Sequence, residues 1–185
     1  MCIRDSFRGG ALLVDFDGRH FIRDENSRRK LLSGLEQTIA VRAYAYALPG
    51  EQLVGAGLRS CRVTFDLWEE RFQVRLSEME QIRNLVAASV EEVALHCLLF
   101  RSWPLGRPAD WVRVSGMRAQ ITMVLELNPM SRERIERIQR WLTQPRGQQV
   151  DEQAFFGSFV STLLTPRLGG AERSITYRSQ EFQVP

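Results

Sequence analysis

Two carboxylates, Asp15 and Asp17, are the residues of this chain best spaced for chemistry. They stand two positions apart in LLVDFDGRH (12–20), behind a short apolar run and before Gly18. In such a pair one carboxylate can attack phosphorus while the next serves as acid and base. A plainer meaning competes. Asp-Gly between two apolar runs is also a type I′ hairpin signal, because both central residues of that turn need positive φ.

The first reading resembles the haloacid-dehalogenase phosphohydrolases, and the rest of the chain departs from them. A metaphosphate-like transition state needs its negative charge neutralised. That family uses magnesium, a downstream lysine and a later acidic pair. Here Arg19 follows the motif, the single lysine is Lys30, and the only aspartates after residue 24 are Asp66, Asp110 and Asp151. A Mg-dependent phosphohydrolase using Asp15 and Asp17 therefore stands only as the alternative enzyme reading. The expectation is no enzyme, with no catalytic residue and no cofactor. Asp17-Gly18 is read as a turn, with Asp17 solvated at its tip and Asp15 on the exposed face opposite Val14 and Phe16.

Other constellations are weaker. His96 and Cys97 are adjacent, about 100° apart on a helix, not at the i,i+4 spacing that lets two ligands share a metal. No metal site is assigned. Gly55 and Gly57 in GEQLVGAG (50–57) lead into a strand at Leu58, where a phosphate loop would open a helix. Glu69 and Glu70 point apart into water at a hairpin tip. Cys2 lies in the N-terminal MCIRDS. Cys61 and Cys97 either pair in an oxidising compartment or are two small buried hydrophobes, and burial is the commoner fate of isolated cysteines.

Periodicity supplies the elements that must position these residues. ALLVDF (11–16) is a strand returning through HFIR (20–23), and a short helix covers 27–37 with Ser27 as its cap. TIAVRAYAYAL (38–48) alternates, with Ile39, Val41, Ala43, Ala45 and Ala47 on one face; small residues there imply close packing. Residues 49–57 are a loop. The clearest hairpin spans 58–76, turning near Trp68-Glu69. A helix is predicted over 78–100, with Ile82, Leu85, Val86, Val90, Val93 and Cys97 as its apolar stripe. SWPLGRPAD (102–110) is a loop. A long strand covers 111–127, with a bulge at Ser115-Gly116 where the apolar set changes parity. Helices at 131–142 and 151–165 and a last strand at 173–182 complete the order. Hairpins dominate, so the fold class is α+β: a mainly antiparallel sheet with helices packed on one face.

A chain of 185 residues, 44% of them hydrophobic, suits one domain with a sizeable core. That domain is placed at 9–185. MCIRDS reads as a translated adaptor or assembly scar, so residues 1–8 are set aside as non-native or truncated. The net charge is only +3, with acidic residues interspersed among the arginines, which speaks against nucleic acid as a partner. Arg42, Arg62, Arg71 and Arg75 with Tyr44 and Tyr46 can form a basic, aromatic sheet face. Asp66, Glu69 and Glu70 interrupt it, and a solvated face is the ordinary outcome. Trp68, Trp103 and Trp111 lie in or beside loops. With Tyr44 and Tyr46 they make the candidate binding surface, although tryptophan also seals the rim of small cores.

The order of LLSGLEQTIAV, CRVTFDLWEERFQV, LELNPMSRERIERIQRWL and FFGSFVSTLLTPRLGGAERSITYRSQEF resembles an uncharacterised family of exported bacterial proteins. In some genomes these are encoded beside a sensor histidine kinase. The resemblance covers residues 11–185. It implies a periplasmic or envelope protein whose signal peptide would precede this fragment; otherwise the location is cytoplasmic. It supplies no activity and no catalytic residues. The expected function is a non-enzymatic binding or interaction domain of the cell envelope. Its half-covered sheet would take a partner strand at an edge, or an apolar ligand between sheet and helices. A hydrophobic-ligand or lipid carrier is the alternative. The partner is then an envelope protein or an apolar ligand, with peripheral membrane association left open.

Overall fold

Sustained alternation of apolar and polar residues produces strands through most of this chain. A computed structural model describes residues 3–79, 81–129 and 171–185. The strands are β1 (Arg4–Arg8), β2 (Ala11–Asp17), β3 (Gln37–Leu48), β4 (Gln52–Asp66), β5 (Arg71–Glu78), β6 (Gln81–Ala87), β7 (Leu99–Leu105), β8 (Arg118–Leu127), β9 (Arg173–Arg178) and β10 (Phe182–Gln183). Three helices, α1 (Glu25–Leu31), α2 (Val90–Leu98) and α3 (Pro108–Val112), and a 3-10 turn at Arg19–Ile22 join them. The larger sheet runs β10-β8-β3-β4-β5-β6, with β9 also on β8, and the smaller runs β1-β2-β7. Every pairing is antiparallel. The protein is α+β with sheet-dominant character.

The inner face of the larger sheet is the alternating set read from sequence. Ile39, Val41, Ala43, Ala45 and Ala47 of β3 and Ala119, Ile121, Met123, Leu125 and Leu127 of β8 are all buried. Cys61 and Val63 of β4 join Phe72, Val74 and Leu76 of β5 on the same face. Leu12, Val14 and Phe16 of β2 belong to this core.

Several boundaries differ from expectation, each for a local reason. Asp17-Gly18 turns no hairpin. Gly18 sits at φ −96° and opens the 3-10 turn, while β2 pairs with β7 and not with residues 20–23. The predicted helix over 78–100 divides. Gln81–Ala87 is β6, and only after Ser89, whose hydroxyl accepts from the Glu92 N–H, does α2 begin. Its first half is rich in good helix formers, and pairing with β5 overrides that preference. Residues 52–57 and 102–105, expected as loops, belong to β4 and β7, and Leu99 and Phe100, expected to end the helix, begin β7. Asp24, not Ser27, caps α1. Residues 108–112 are helical, and Gly116, at φ +77°, lies in a turn before β8, so no bulge forms there. Arg4–Arg8, set aside from sequence, pairs with β2. The expected helices at 131–142 and 151–165 lie outside the described residues.

The two sheets meet along a seam in which residues 97–106 run antiparallel over the inner face of β4. Cys97 is disulfide-bonded to Cys61, with the Cα atoms 5.9 Å apart. The pairing alternative therefore holds against the commoner one of two unpaired buried cysteines, and the bonded pair is itself buried. Arg59 lies with its guanidinium carbon 4.0 Å from the Phe100 ring centre and donates to the Leu99 carbonyl at 2.9 Å. A Cβ at Gly57 would stand 2.8 Å from the Trp103 ring, and one at Gly55 would stand 2.9 Å from the Gly106 nitrogen. Ala43 and Ala45 of β3 are the cross-strand neighbours of Gly57 and Gly55. The small-residue patch read from sequence is therefore where β7 crosses the sheet.

Arg59 carries the charge in this seam. It donates from Nη2 to both Glu78 oxygens, at 2.9 and 3.1 Å, across the β4–β5 ladder. Burial lowers its pKa while Glu78 raises it. Removing one member of a buried pair leaves the other uncompensated, at a cost of about 3 kcal/mol. Arg59→Ala is expected to lose stability of that order by urea denaturation. Arg59→Lys is expected to recover only part of it, because an ammonium cannot both stack on Phe100 and span two carboxylate oxygens.

Candidate binding surface

The five aromatic residues singled out in sequence do not form one surface. Trp103 and Trp111 are each 2% exposed. Trp111 donates to the Leu105 carbonyl at 2.7 Å and meets Phe7 edge-on, while Trp103 packs on Phe100 with ring centres 4.5 Å apart. Both are core residues: Trp103 because the segment expected as a loop is a strand folded against β4, and Trp111 because the residues expected to open a strand instead lie in α3, which buries its ring. Tyr44 is 7% exposed and lies beside Tyr46, which is half-buried. Trp68 alone is on the surface, 96% exposed at the β4–β5 turn. The Asp66 carboxylate shapes that turn by accepting from the Trp68 and Glu69 N–H groups at 2.9 and 3.1 Å.

Asp15 and Asp17 share the outward face of β2, and each is committed to the backbone around it. Between Val14 and Phe16 the β2–β7 register shifts, and β7 carries the extra residue. Ser102 there adopts φ +49°, and its N–H donates to Asp15 Oδ1 at 2.6 Å. Asp15 therefore stabilises a bulge. Asp17 accepts from the Arg19 N–H at 3.1 Å and from the Arg19 guanidinium at 2.9 and 2.6 Å, which secures the 3-10 turn. The Arg19 hydrogen bonds hold the Asp17 carboxyl down at about 2. Gly18 is needed because no side chain would fit. A Cβ there would stand 2.8 Å from the Phe16 ring and 2.9 Å from Leu125. Among the described residues no group of three His, Cys, Asp or Glu side chains converges.

Arginines occupy the outer face of the larger sheet, whose halves differ. On β3 and β8 this face is largely covered, with Ala40, Tyr44, Val124 and Glu126 buried. On β4, β5 and β6 it is exposed. There Arg62 stands directly opposite Arg75, and Arg75 directly opposite Asn84. Arg71 extends the set toward the turn, and Leu58, Ile82 and Val86 flank it as exposed apolar side chains. Among the described residues no carboxylate lies within ion-pairing distance of Arg62, Arg71 or Arg75. Asp66, expected to interrupt the basic face, is occupied by the turn. Like charges directly across a ladder destabilise the sheet that holds them. Sequence reasoning had these residues on one face but lacked the register that sets two guanidinium groups opposite each other.

Glu126 is the acid of the covered half. Arg42 Nη1 lies 2.7 Å from its Oε2, without hydrogen-bond alignment. Burial raises the Glu126 pKa and Arg42 lowers it only in part. Two clefts, of about 150 Å³ beside Ile22 and Val90 and about 80 Å³ beside Val54 and Asp110, are small against the ~300–1,000 Å³ of ordinary ligand pockets.

Fold and surface together define a sheet-dominated α+β protein with a cationic outer face on β4–β6. Compared with known proteins, the chain matches no family model, no curated sequence and no solved structure.

Two pH effects follow, of opposite sign. Asp17 has a folded pKa below its unfolded value, so its contribution is present above about 4 and is lost as pH falls toward about 2. The stability difference between the wild type and Asp17→Asn should shrink over that interval in thermal melts. Glu126 has a folded pKa above its unfolded value, so ionisation opposes folding as pH rises from the ordinary carboxyl range. Glu126→Gln is expected to be neutral or stabilising near pH 7, by up to about 1 kcal/mol, since Arg42 can reach water. That gain should vanish on acidification.

Proposed function

We propose that this chain is a non-enzymatic interaction domain of the bacterial cell envelope. Its contact surface is the outer face of β4–β6, and its partner is an extended acidic segment of another protein. The opposed, unpaired Arg62 and Arg75 carry this reading. Two adjacent guanidinium groups without carboxylates repel each other, and an anionic partner relieves that repulsion. The flanking Leu58, Ile82 and Val86 favour a protein partner, since an extended chain presents alternating side chains that suit charged and apolar rows together. On this reading the helices collect on the inner face and leave the outer face to the partner. An envelope location draws support from the Cys61–Cys97 disulfide, because such bonds persist in oxidising compartments. The resemblance to exported bacterial proteins points the same way.

A labelled peptide alternating glutamate and valine tests the reading by fluorescence anisotropy. Binding is expected to weaken with added salt, and to fall about tenfold or more in Arg62→Ser/Arg75→Ser, since two charge-assisted contacts are lost. Binding unchanged in that variant, or no binding by the wild type at low salt, would remove this face as the contact surface.

A further inference from the structure

Strand β6 ends the larger sheet, and among the described residues no strand pairs with its outer side. It is seven residues long, QIRNLVA, with Ile82 54% and Val86 50% exposed on the outer face. Its unpaired N–H and C=O groups form a template for another strand. The order of its side chains narrows what that strand can be. Asn84 is the midpoint of Gln81–Ala87, with Ile82 two positions before it and Val86 two positions after.

We infer that this edge pairs antiparallel with β6 of a second copy of the chain, about a two-fold axis at Asn84. Directly opposite residues must lie on the same face, so only even shifts of register are open to two identical strands sharing one continuous sheet. Centred on Asn84, all seven residues pair. Ile82 meets Val86 of the second copy, Val86 meets Ile82, and the two Asn84 side chains face each other. On the inner face Arg83 meets Leu85. Centred on Arg83, like charges would stand directly opposite, and both Ile82 and Val86 would lose their apolar partners. Centred on Leu85, each Asn84 would face a valine. Of these three registers, only that centred on Asn84 pairs all seven residues with Ile82 against Val86 and arginines kept apart, and registers centred nearer either end pair three residues or fewer. It is the self-complementary, isologous contact that a two-fold dimer requires.

The pairing also changes the cationic face. Arg62, Arg75 and Asn84 lie in one row across β4, β5 and β6. Rotated about the axis, the row continues through Asn84, Arg75 and Arg62 of the second copy. With strands ~4.8 Å apart, the two Arg75 positions come within about 15 Å. The result is a single stripe, long enough to hold an acidic segment from both protomers. The dimer goes beyond the acidic-partner reading, which does not require it.

The test is site-specific oxidation in a Cys2→Ser background, with Cys61 and Cys97 left paired. Opposed residues in an antiparallel ladder have Cα atoms about 4.5 or 5.5 Å apart, within disulfide range. Asn84→Cys is expected to give a covalent dimer under mild oxidation, about tenfold more than Arg83→Cys, whose position faces Leu85 and whose copies are two residues out of register. Light scattering of the unmodified chain is expected to show a concentration-dependent rise toward twice 21.3 kDa, lost in Ile82→Lys/Val86→Lys. A mass that stays at one chain at every concentration overturns the inference. So does equal crosslinking at positions 83 and 84. Either failure leaves peptide binding at Arg62 and Arg75 to be judged on its own anisotropy result.

Discussion

The closeness with which residues 97–106 lie on β4 determines the rest of the described fold. Stacked sheets ordinarily stand ~10 Å apart, separated by two layers of side chains. At Gly55 and Gly57 one of those layers is missing, so the Leu105–Gly106 backbone and the Trp103 ring come down onto the strand itself. Two residues farther along, that approach brings Arg59 under Phe100, where a guanidinium would be costly without partners. Glu78, the Leu99 carbonyl and the aromatic face offset the cost. Two residues farther again, the seam is closed by Cys61 and Cys97. The side chains of β4 therefore grow from none, at the point of closest approach, to those that bridge a wider gap.

Much of this architecture can be read from local pattern. Alternation in β3, β4, β5 and β8 is sustained over enough residues to specify both strand and inward face, because a one-residue slip would expose every apolar side chain. The alanines of β3 announced a close approach without naming what approached. Tertiary context decided against local preference elsewhere. EMEQIRNLVA contains residues that favour a helix, and its latter part becomes β6 through pairing with β5. SWPLGRPAD contains the punctuation of a loop, yet Trp103 and Leu105 are apolar enough to be drawn into the seam as strand residues. In LLVDFDGRH the alternation was correct. The turn chemistry failed because the partner of β2 is β7, from the far side of four intervening strands, and no return strand was needed next to Gly18.

The candidate surface was partly legible for the same reason. A single strand shows which residues share a face, so Arg62, Arg71 and Arg75 could be grouped before any contact was known. Whether a face is covered is a property of the whole molecule. Tyr44 and Tyr46 lie on the same outward side as Arg62, but nearer β8, where that side is buried. Trp103 and Trp111 were misplaced because tryptophan is as common at a core rim as at a contact surface. The two aspartates show how a motif misleads. Each carboxylate is placed to accept backbone N–H groups, Asp15 from Ser102 at a bulge and Asp17 from Arg19 at a 3-10 turn, and neither use calls for the downstream lysine and acidic pair that phosphoryl transfer would need.

Arg59 and Arg62 make the division of labour within β4 explicit. They are three residues apart on one strand and carry the same side chain, but the pleat sends them to opposite faces. Arg59 has every donor direction constrained by a ring, a carbonyl and a carboxylate, so its position can change little without loss of the seam. Arg62 faces water beside another arginine and contributes nothing comparable to the core. The inner face alone gives no reason for two arginines to stand opposite each other. Since the inner face already fixes strand, register and sheet contact, the outer face is free to carry an unfavourable charge arrangement, and that freedom is what a binding surface requires.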